Sequence, residues 1–250
     1  MRLPADMDLP PVVSPQEWEA ARENMLVKEK ELTHARDALA AERRRMPRMA
    51  VEHDYRFKGP SGSVSLGDLF EGRHQLIVYR YFYEPGVTGW PEKGCYGCSL
   101  VADQVAHPAH LHARDTTLAF VSRAPQPDIE RWKARMGWEV IPWYTLTDDF
   151  DADFDVDEMH GTNVFYRDDD DRIFRTYFVN ARGDEAMGGT WSYLDITAPG
   201  ARRSGRTRRR ATRRRRRTRG GGATTSTTSR PQRRWPPRAP RASSETQSRR

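Results

Sequence analysis

The only two cysteines in this 250-residue chain, Cys95 and Cys98, form a C-x-x-C pair within Gly94-Cys95-Tyr96-Gly97-Cys98-Ser99. The pair follows a β-prone run, His74 to Tyr83 (HQLIVYRYFY), and precedes a helix-like run, Ser99 to His107 (SLVADQVAH). Two thiols at this spacing and at a strand-to-helix junction read as a redox motif. A thiolate at a helix N-terminus faces unpaired backbone N–H groups and the positive end of the helix dipole, and both lower its pKa. The second thiol can then attack a mixed disulfide made by the first and release the product.

Other residues carry weaker signals. His107, His110 and His112 lie close to the cysteines, and Cys95-x2-Cys98-x8-His107-x2-His110 has zinc-like parts. Zinc fingers leave more residues between the two ligand pairs, and Pro108 breaks this segment, so no metal is expected and the histidines read as a solvated helix end. The acids from Asp148 to Glu158 and from Asp168 to Asp171 lack the sixth-position Gly of a calcium loop. They are expected to form a solvated loop and a turn. Trp132, Trp138 and Trp143 read as core or cleft wall, and no cofactor is implied.

Charge divides the chain sharply. Residues 201–250 hold 19 of the 42 basic residues, all Arg, and one of the 35 acids, a net +18; residues 1–200 keep 23 bases and 34 acids, a net −11. The Arg-rich segment contains no Leu, Ile, Val, Met, Phe or Tyr, so it cannot bury a core and is expected to be disordered. A basic arm of this kind would bind nucleic acid through phosphate charge. The abrupt switch after Gly200 to residues of GC-rich codons is explained more simply by a reading-frame shift. No run reaches the roughly 18–20 apolar residues of a membrane span. MRLPADMDLPPVV lacks the apolar stretch of a secretory leader, so a cytoplasmic location is expected.

The elements that must hold the cysteines are legible in outline. Residues 1–14 read as a flexible N-terminus. Ser14-Pro15-Gln16-Glu17 is a capping box with Pro at the first helical position, so a long charged helix is expected from Pro15 to about Arg45, ended by Pro47. Its stripe of Trp18, Ala21, Met25, Leu32, Ala35 and Leu39 suits docking on a domain or a partner helix. From 47 to 200 the pattern reads as one domain. Short strands flank Gly59-Pro60-Ser61-Gly62, and the 74–83 strand leads to the cysteine helix. A strand over 116–122, a helix over 127–136 and an extended segment over 138–146 follow. A β-hairpin around 163–166 and 172–179 and a last short helix over 185–194 complete it. The order is α/β with a mixed central sheet flanked by helices.

This order, with the cysteines at the junction, resembles the thioredoxin superfamily. The lead-in Gly62-Ser63-Val64-Ser65-Leu66-Gly67-Asp68-Leu69 through Gly72 to Leu76-Ile77-Val78-Tyr79 is similar to that of peroxiredoxins. More narrowly, 15–197 resembles the bacterial thioredoxin-like family known as domain of unknown function DUF899. The residues that carry this are Gly94-Cys95-x-x-Cys98-Ser99 with Ala102-Asp103, Val121-Ser122-Arg123-Ala124-Pro125, Arg135-Met136-Gly137-Trp138 and Gly189-Thr190-Trp191 with Leu194-Asp195.

The resemblance implies a thioredoxin-like fold with Cys95 as attacking and Cys98 as resolving thiol. Three positions depart from the thioredoxin pattern. Gly94 replaces the Trp before the first Cys, and Tyr96-Gly97 replaces Gly-Pro. His160-Gly161-Thr162-Asn163 stands where thioredoxins carry a cis-Pro. A non-Pro cis bond costs about 2.5–4 kcal/mol, so a trans backbone is expected there and a substrate-binding edge unlike thioredoxin's. Pro91-x-x-x-Cys95-x-x-Cys98 also has peroxiredoxin spacing, which would make Cys98 peroxidatic with Arg123 or Arg167 as the activating cation.

The expected function is a thiol–disulfide oxidoreductase, or a peroxiredoxin-like relative, with Cys95 and Cys98 as the catalytic residues and a thiol, disulfide or peroxide substrate. The alternatives are a non-catalytic thioredoxin-fold module with partner binding or self-association through the N-terminal helix, and a nucleic-acid-associated protein acting through the Arg-rich segment. No membrane partner is expected.

Overall fold

The structure, a computed structural model, describes residues 10–197 apart from 88, 106, 157 and 158. The expectations for 1–9 and for the Arg-rich segment 201–250, its disorder and its frame-shift origin included, lie outside the described residues.

Helix α1 (Pro15–Arg45) starts as its capping box requires. The Ser14 hydroxyl accepts the Glu17 N–H, the Glu17 carboxylate accepts the Ser14 N–H at 2.9 Å, and Arg43, Arg44 and Arg45 occupy the last turn. No residue of α1 is buried, and Trp18, Met25, Leu32 and Leu39 all remain exposed.

The next elements are β1 (Met49–Val51), β2 (Arg56–Gly59), β3 (Gly62–Ser65), a 3-10 turn (Asp68–Phe70), β4 (Gln75–Arg80), α2 (Tyr96–Asp103), α3 (Ala109–His112) and β5 (Thr116–Ser122). The chain continues through α4 (Gln126–Met136), β6 (Trp143–Leu146), α5 (Phe150–Asp153), β7 (Gly161–Arg167), β8 (Ile173–Val179), a second 3-10 turn (Ala181–Met187) and α6 (Gly189–Asp195). The strands form one sheet in the order β1-β8-β7-β4-β5-β6-β2-β3. β4, β5 and β6 run parallel, and β7 returns antiparallel on the other side of β4. This is the mixed sheet with flanking helices, the thioredoxin-like arrangement expected from sequence.

Because side chains alternate along a strand, each strand feeds two cores. Leu76 and Val78 of β4, with Ala119 and Val121 of β5, face Leu66, Phe70, Phe150, Phe154 and Phe165. Tyr79 and Tyr81, with Phe120, face Trp132, Trp138, Trp143, Ala102 and Cys98. The three tryptophans are core, as their types imply. Residue 94 abuts this second core. A Cβ there would meet the Tyr81 hydroxyl at 2.7 Å and the Trp132 indole at 3.3 Å, which explains why Gly stands where thioredoxins carry Trp.

The acidic segment after residue 148 departs from the expected solvated loop. Asp151 receives both Arg80, itself 1% exposed, at 3.0 Å and Arg123 at 3.2 Å, while the Tyr55 hydroxyl donates to Asp153 at 2.9 Å. Phe150, Phe154 and Val156 are buried beneath. A buried guanidinium requires paired carboxylates, and β4 supplies the guanidinium far from these acids in sequence. Asp168 does close a turn, accepting the Arg172 N–H at 2.9 Å.

Candidate active site

Cys95 is the N-cap of α2. Its Sγ is half-buried and accepts the Cys98 N–H at 3.4 Å. Cys98 lies one turn on, on the inner face of α2, and is 2% exposed. The two cysteines approach to 3.2 Å and are unbonded. The Cys98 Sγ accepts the Phe82 N–H at 3.5 Å, just beyond the end of β4, and interacts with the Tyr79 hydroxyl.

Electrostatics separates the two sulfurs. The Cys98 thiol donating to Cys95, reinforced by the backbone N–H groups of Cys98 and Gly97 and by the His160 imidazole, brings the Cys95 thiol down to about 6. The same sulfur–sulfur hydrogen bond, together with burial, pushes the Cys98 thiol up, out of the physiological range. At neutral pH the pair is one thiolate held beside one thiol.

A chain of directional bonds fixes the backbone at Cys95. The Ser99 hydroxyl donates to the Cys95 carbonyl at 2.9 Å, which leaves its oxygen to accept from the Tyr81 hydroxyl at 2.6 Å. Tyr81 in turn accepts the Trp132 N–H at 3.4 Å. Trp138 holds the same helix from farther along, its N–H bonding the Asp103 carboxylate at 2.9 Å. α4 and the segments that leave β4 and α4 thus position α2 through the polar tips of aromatic side chains.

His160, flagged in the sequence as standing in place of the cis-Pro, lies beside the cysteines across a cavity of about 360 Å3. Trp90–Pro91 is the one cis peptide among the described residues, so the 160–163 backbone is trans as expected. A Cβ at Gly161 would meet the Phe178 ring at 2.8 Å, which explains the glycine beside His160. Asp184, which sequence reading did not single out, lines the same cavity. It is 3% exposed, takes the Thr162 hydroxyl at 2.8 Å, and is pushed upward by burial. No local motif announces it; only the fold brings the 181–187 turn back against α2.

The other expected site residues do not assemble. His107 accepts the Ala109 N–H at 3.2 Å, and no group of three or more metal-binding side chains comes together among the described residues. Arg123 is engaged with Asp151, and Arg167 donates to the Arg73 carbonyl and lies over the Phe70 ring. Neither lines the cavity at the cysteines, so neither is placed to activate Cys98, and a buried thiol pushed upward does not suit the peroxidatic role.

A family profile described as "Bacterial protein of unknown function (DUF899)" matches residues 7–218. The chain belongs to the DUF899 family. No protein of curated function matches it by sequence. Among solved structures, this DUF899 chain is similar to a thiol:disulfide interchange protein from Bacteroides sp., at 17% identity and TM-score 0.38, covering 63% of this chain and 94% of that one. A thioredoxin-family thiol:disulfide interchange protein from Chlorobium tepidum TLS shows 15% identity and TM-score 0.38, over 56% and 91%. A yeast mitochondrial 1-Cys peroxiredoxin shows 16% identity and TM-score 0.36, over 57% and 74%. Among the described residues no helix is long and apolar enough to cross a membrane.

Proposed function

We propose that this DUF899 protein is a cytoplasmic thiol–disulfide oxidoreductase. The observation that carries the reading is the asymmetry of the pair: an accessible, low-pKa sulfur at a helix N-cap beside a buried, high-pKa sulfur. The Cys95 thiolate attacks one sulfur of a substrate disulfide, forming a mixed disulfide and expelling the other sulfur as a thiolate that takes up a proton. Cys98 then loses its proton and attacks the Cys95 sulfur. The substrate leaves as two thiols, and the protein keeps the two-electron oxidation as a Cys95–Cys98 disulfide.

The test is a titration in a dithiothreitol series read by alkylation mass shift, which should show one two-electron transition. Cys98→Ser should trap a mixed disulfide at Cys95. Thiols that stay alkylatable under mild oxidant would remove the redox reading.

A second reading concerns α1 and is compatible with the first. A 31-residue helix with no buried residue lacks the packing from which helices draw most of their stability. Trp18, Met25, Leu32 and Leu39 recur every seven residues and are exposed by 46 to 58%, one of the two seam positions of a heptad, with Ala21 and Ala35 at the other. We assign this face to a second copy of the chain. Sedimentation should show a dimer that Leu32→Glu dissociates; a wild-type monomer at every concentration would contradict it.

A further inference from the structure

The cavity beside the cysteines is more than the approach to a sulfur. It lies between α2 and the segment 181–190, and both walls are tied down. The Gln104 side chain accepts the Thr190 N–H at 2.9 Å, and Asp184 holds the Thr162 hydroxyl at the start of β7. Leu100, Val101 and Ala181 give it a largely carbon lining, with Cys95 at its edge. Its volume of about 360 Å3 falls in the range of small-molecule pockets, roughly 300–1,000 Å3. A protein substrate met along an exposed backbone edge would not require such a concavity.

One polar group in the wall is unspent. Asp184 Oδ2 is buried and has no hydrogen-bond partner among the described residues. A buried polar atom is normally paired, and an unpaired one calls for a partner. The guanidinium of Arg182, also at the cavity, is two-thirds exposed and pairs with Glu185 at 3.2 Å rather than with Asp184.

We propose that this cavity is the substrate pocket, and that it takes one arm of a small, uncharged organic disulfide: an apolar, preferably aromatic body carrying a polar atom that hydrogen-bonds Asp184. The inference rests on the redox reading of Cys95 and narrows its substrate class. The arm seats against Leu100 and Val101, and its sulfur is presented to the Cys95 thiolate. The Cys95 sulfur bonds to that sulfur as the substrate S–S bond breaks, and the outer arm leaves as a thiolate protonated by solvent. Cys98 then displaces the seated arm as its thiolate, closing the Cys95–Cys98 disulfide. Burying a charged arm in this largely carbon-lined cavity is costly, and the buried Asp184 carboxyl disfavours an anionic arm most.

The test is single-turnover kinetics of the full, reduced chain with three probes. These are dipyridyl disulfide (neutral, aromatic), dithiobis(nitrobenzoate) (aromatic, dianionic) and bis(hydroxyethyl) disulfide (neutral, without an apolar body). The rate with dipyridyl disulfide should saturate with concentration, and the rates with the other two should stay linear. Ala181→Trp at the exposed mouth and Val101→Trp in the wall should abolish the saturation. Each should lower the ratio of dipyridyl to hydroxyethyl rate by about tenfold or more, the discrimination an apolar pocket supplies. An unchanged ratio in both variants, or saturation with the dianion alone, overturns the proposal. Diphenyl sulfide, which has no bond to exchange, separates this inference from the redox reading. It should protect Cys95 from iodoacetamide in the wild type and not in Ala181→Trp. Protection without turnover of any disulfide would sink the redox reading; turnover without protection would sink the pocket.

Discussion

The two faces of the sheet are built from the same strands and differ in kind. One face is closed by Leu66, Leu69, Phe70, Phe150, Phe154 and Phe165, which offer shape and apolar area. The other is closed by Tyr79, Tyr81, Tyr83, Trp132, Trp138 and Trp143, whose rings fill space while most of their polar tips make directed hydrogen bonds. Trp143 donates to the Ser122 hydroxyl at 3.0 Å, Trp138 to Asp103 and Tyr83 to the Pro91 carbonyl at 2.8 Å. Tyr81 reaches the backbone of Cys95 through Ser99. Burial alone is indifferent to a rotation of α2, whereas hydrogen bonds have direction. Both faces bury a core that stabilises the protein, and the second also sets where Cys95 sits.

The comparison can be broken at its strongest point by Phe165→Ala. Deleting this fully buried ring on the phenyl face should cost about 3–5 kcal/mol in urea unfolding. It should leave the pH midpoint of Cys95 alkylation in place. A shifted midpoint would show that the two faces are not separable. Next in size is Gly94→Ala on the aromatic face. Its new methyl would crowd the Tyr81 hydroxyl, at about 1–3 kcal/mol, and should displace the segment leading into Cys95. Here alkylation kinetics should change along with stability; a loss of stability alone would refute the positioning role. The smallest effect on stability, and the sharpest test, is Tyr81→Phe. Losing one hydroxyl should cost about 0.5–1.5 kcal/mol. It should also slow Cys95 alkylation, because the Ser99 oxygen loses its donor. Unaltered Cys95 kinetics in this variant would count against the relay.

The two faces were unequally readable from sequence. Where information is local the reading succeeds: the Ser14-Pro15-x-Glu17 box starts α1, and the apolar run of β5 matches residues 116–122. The cysteine junction succeeds for the same reason, since a thiol at a helix start is a local fact. What sequence does not reveal is made by long-range pairing. β1 is three residues long and exists through its register with Ile173 to Arg175 of β8. The acids around Asp151 read as solvent-facing until the fold brings Arg80 over them. Asp184 carries no local signal, because its burial comes from Thr162 on a strand that the turn folds back upon.

The proposed exchange depends on the separation of a Cys95 thiolate from a buried Cys98 thiol. The measurement that meets it most directly is the rate of iodoacetamide alkylation against pH on the reduced, folded chain, with each modified peptide identified by mass. Cys95 alone should react, its rate rising through a midpoint of about 6 and level above neutrality, while Cys98 stays unmodified until the protein unfolds. A midpoint near the ordinary thiol value of about 8.5, or Cys98 reacting first, would contradict it.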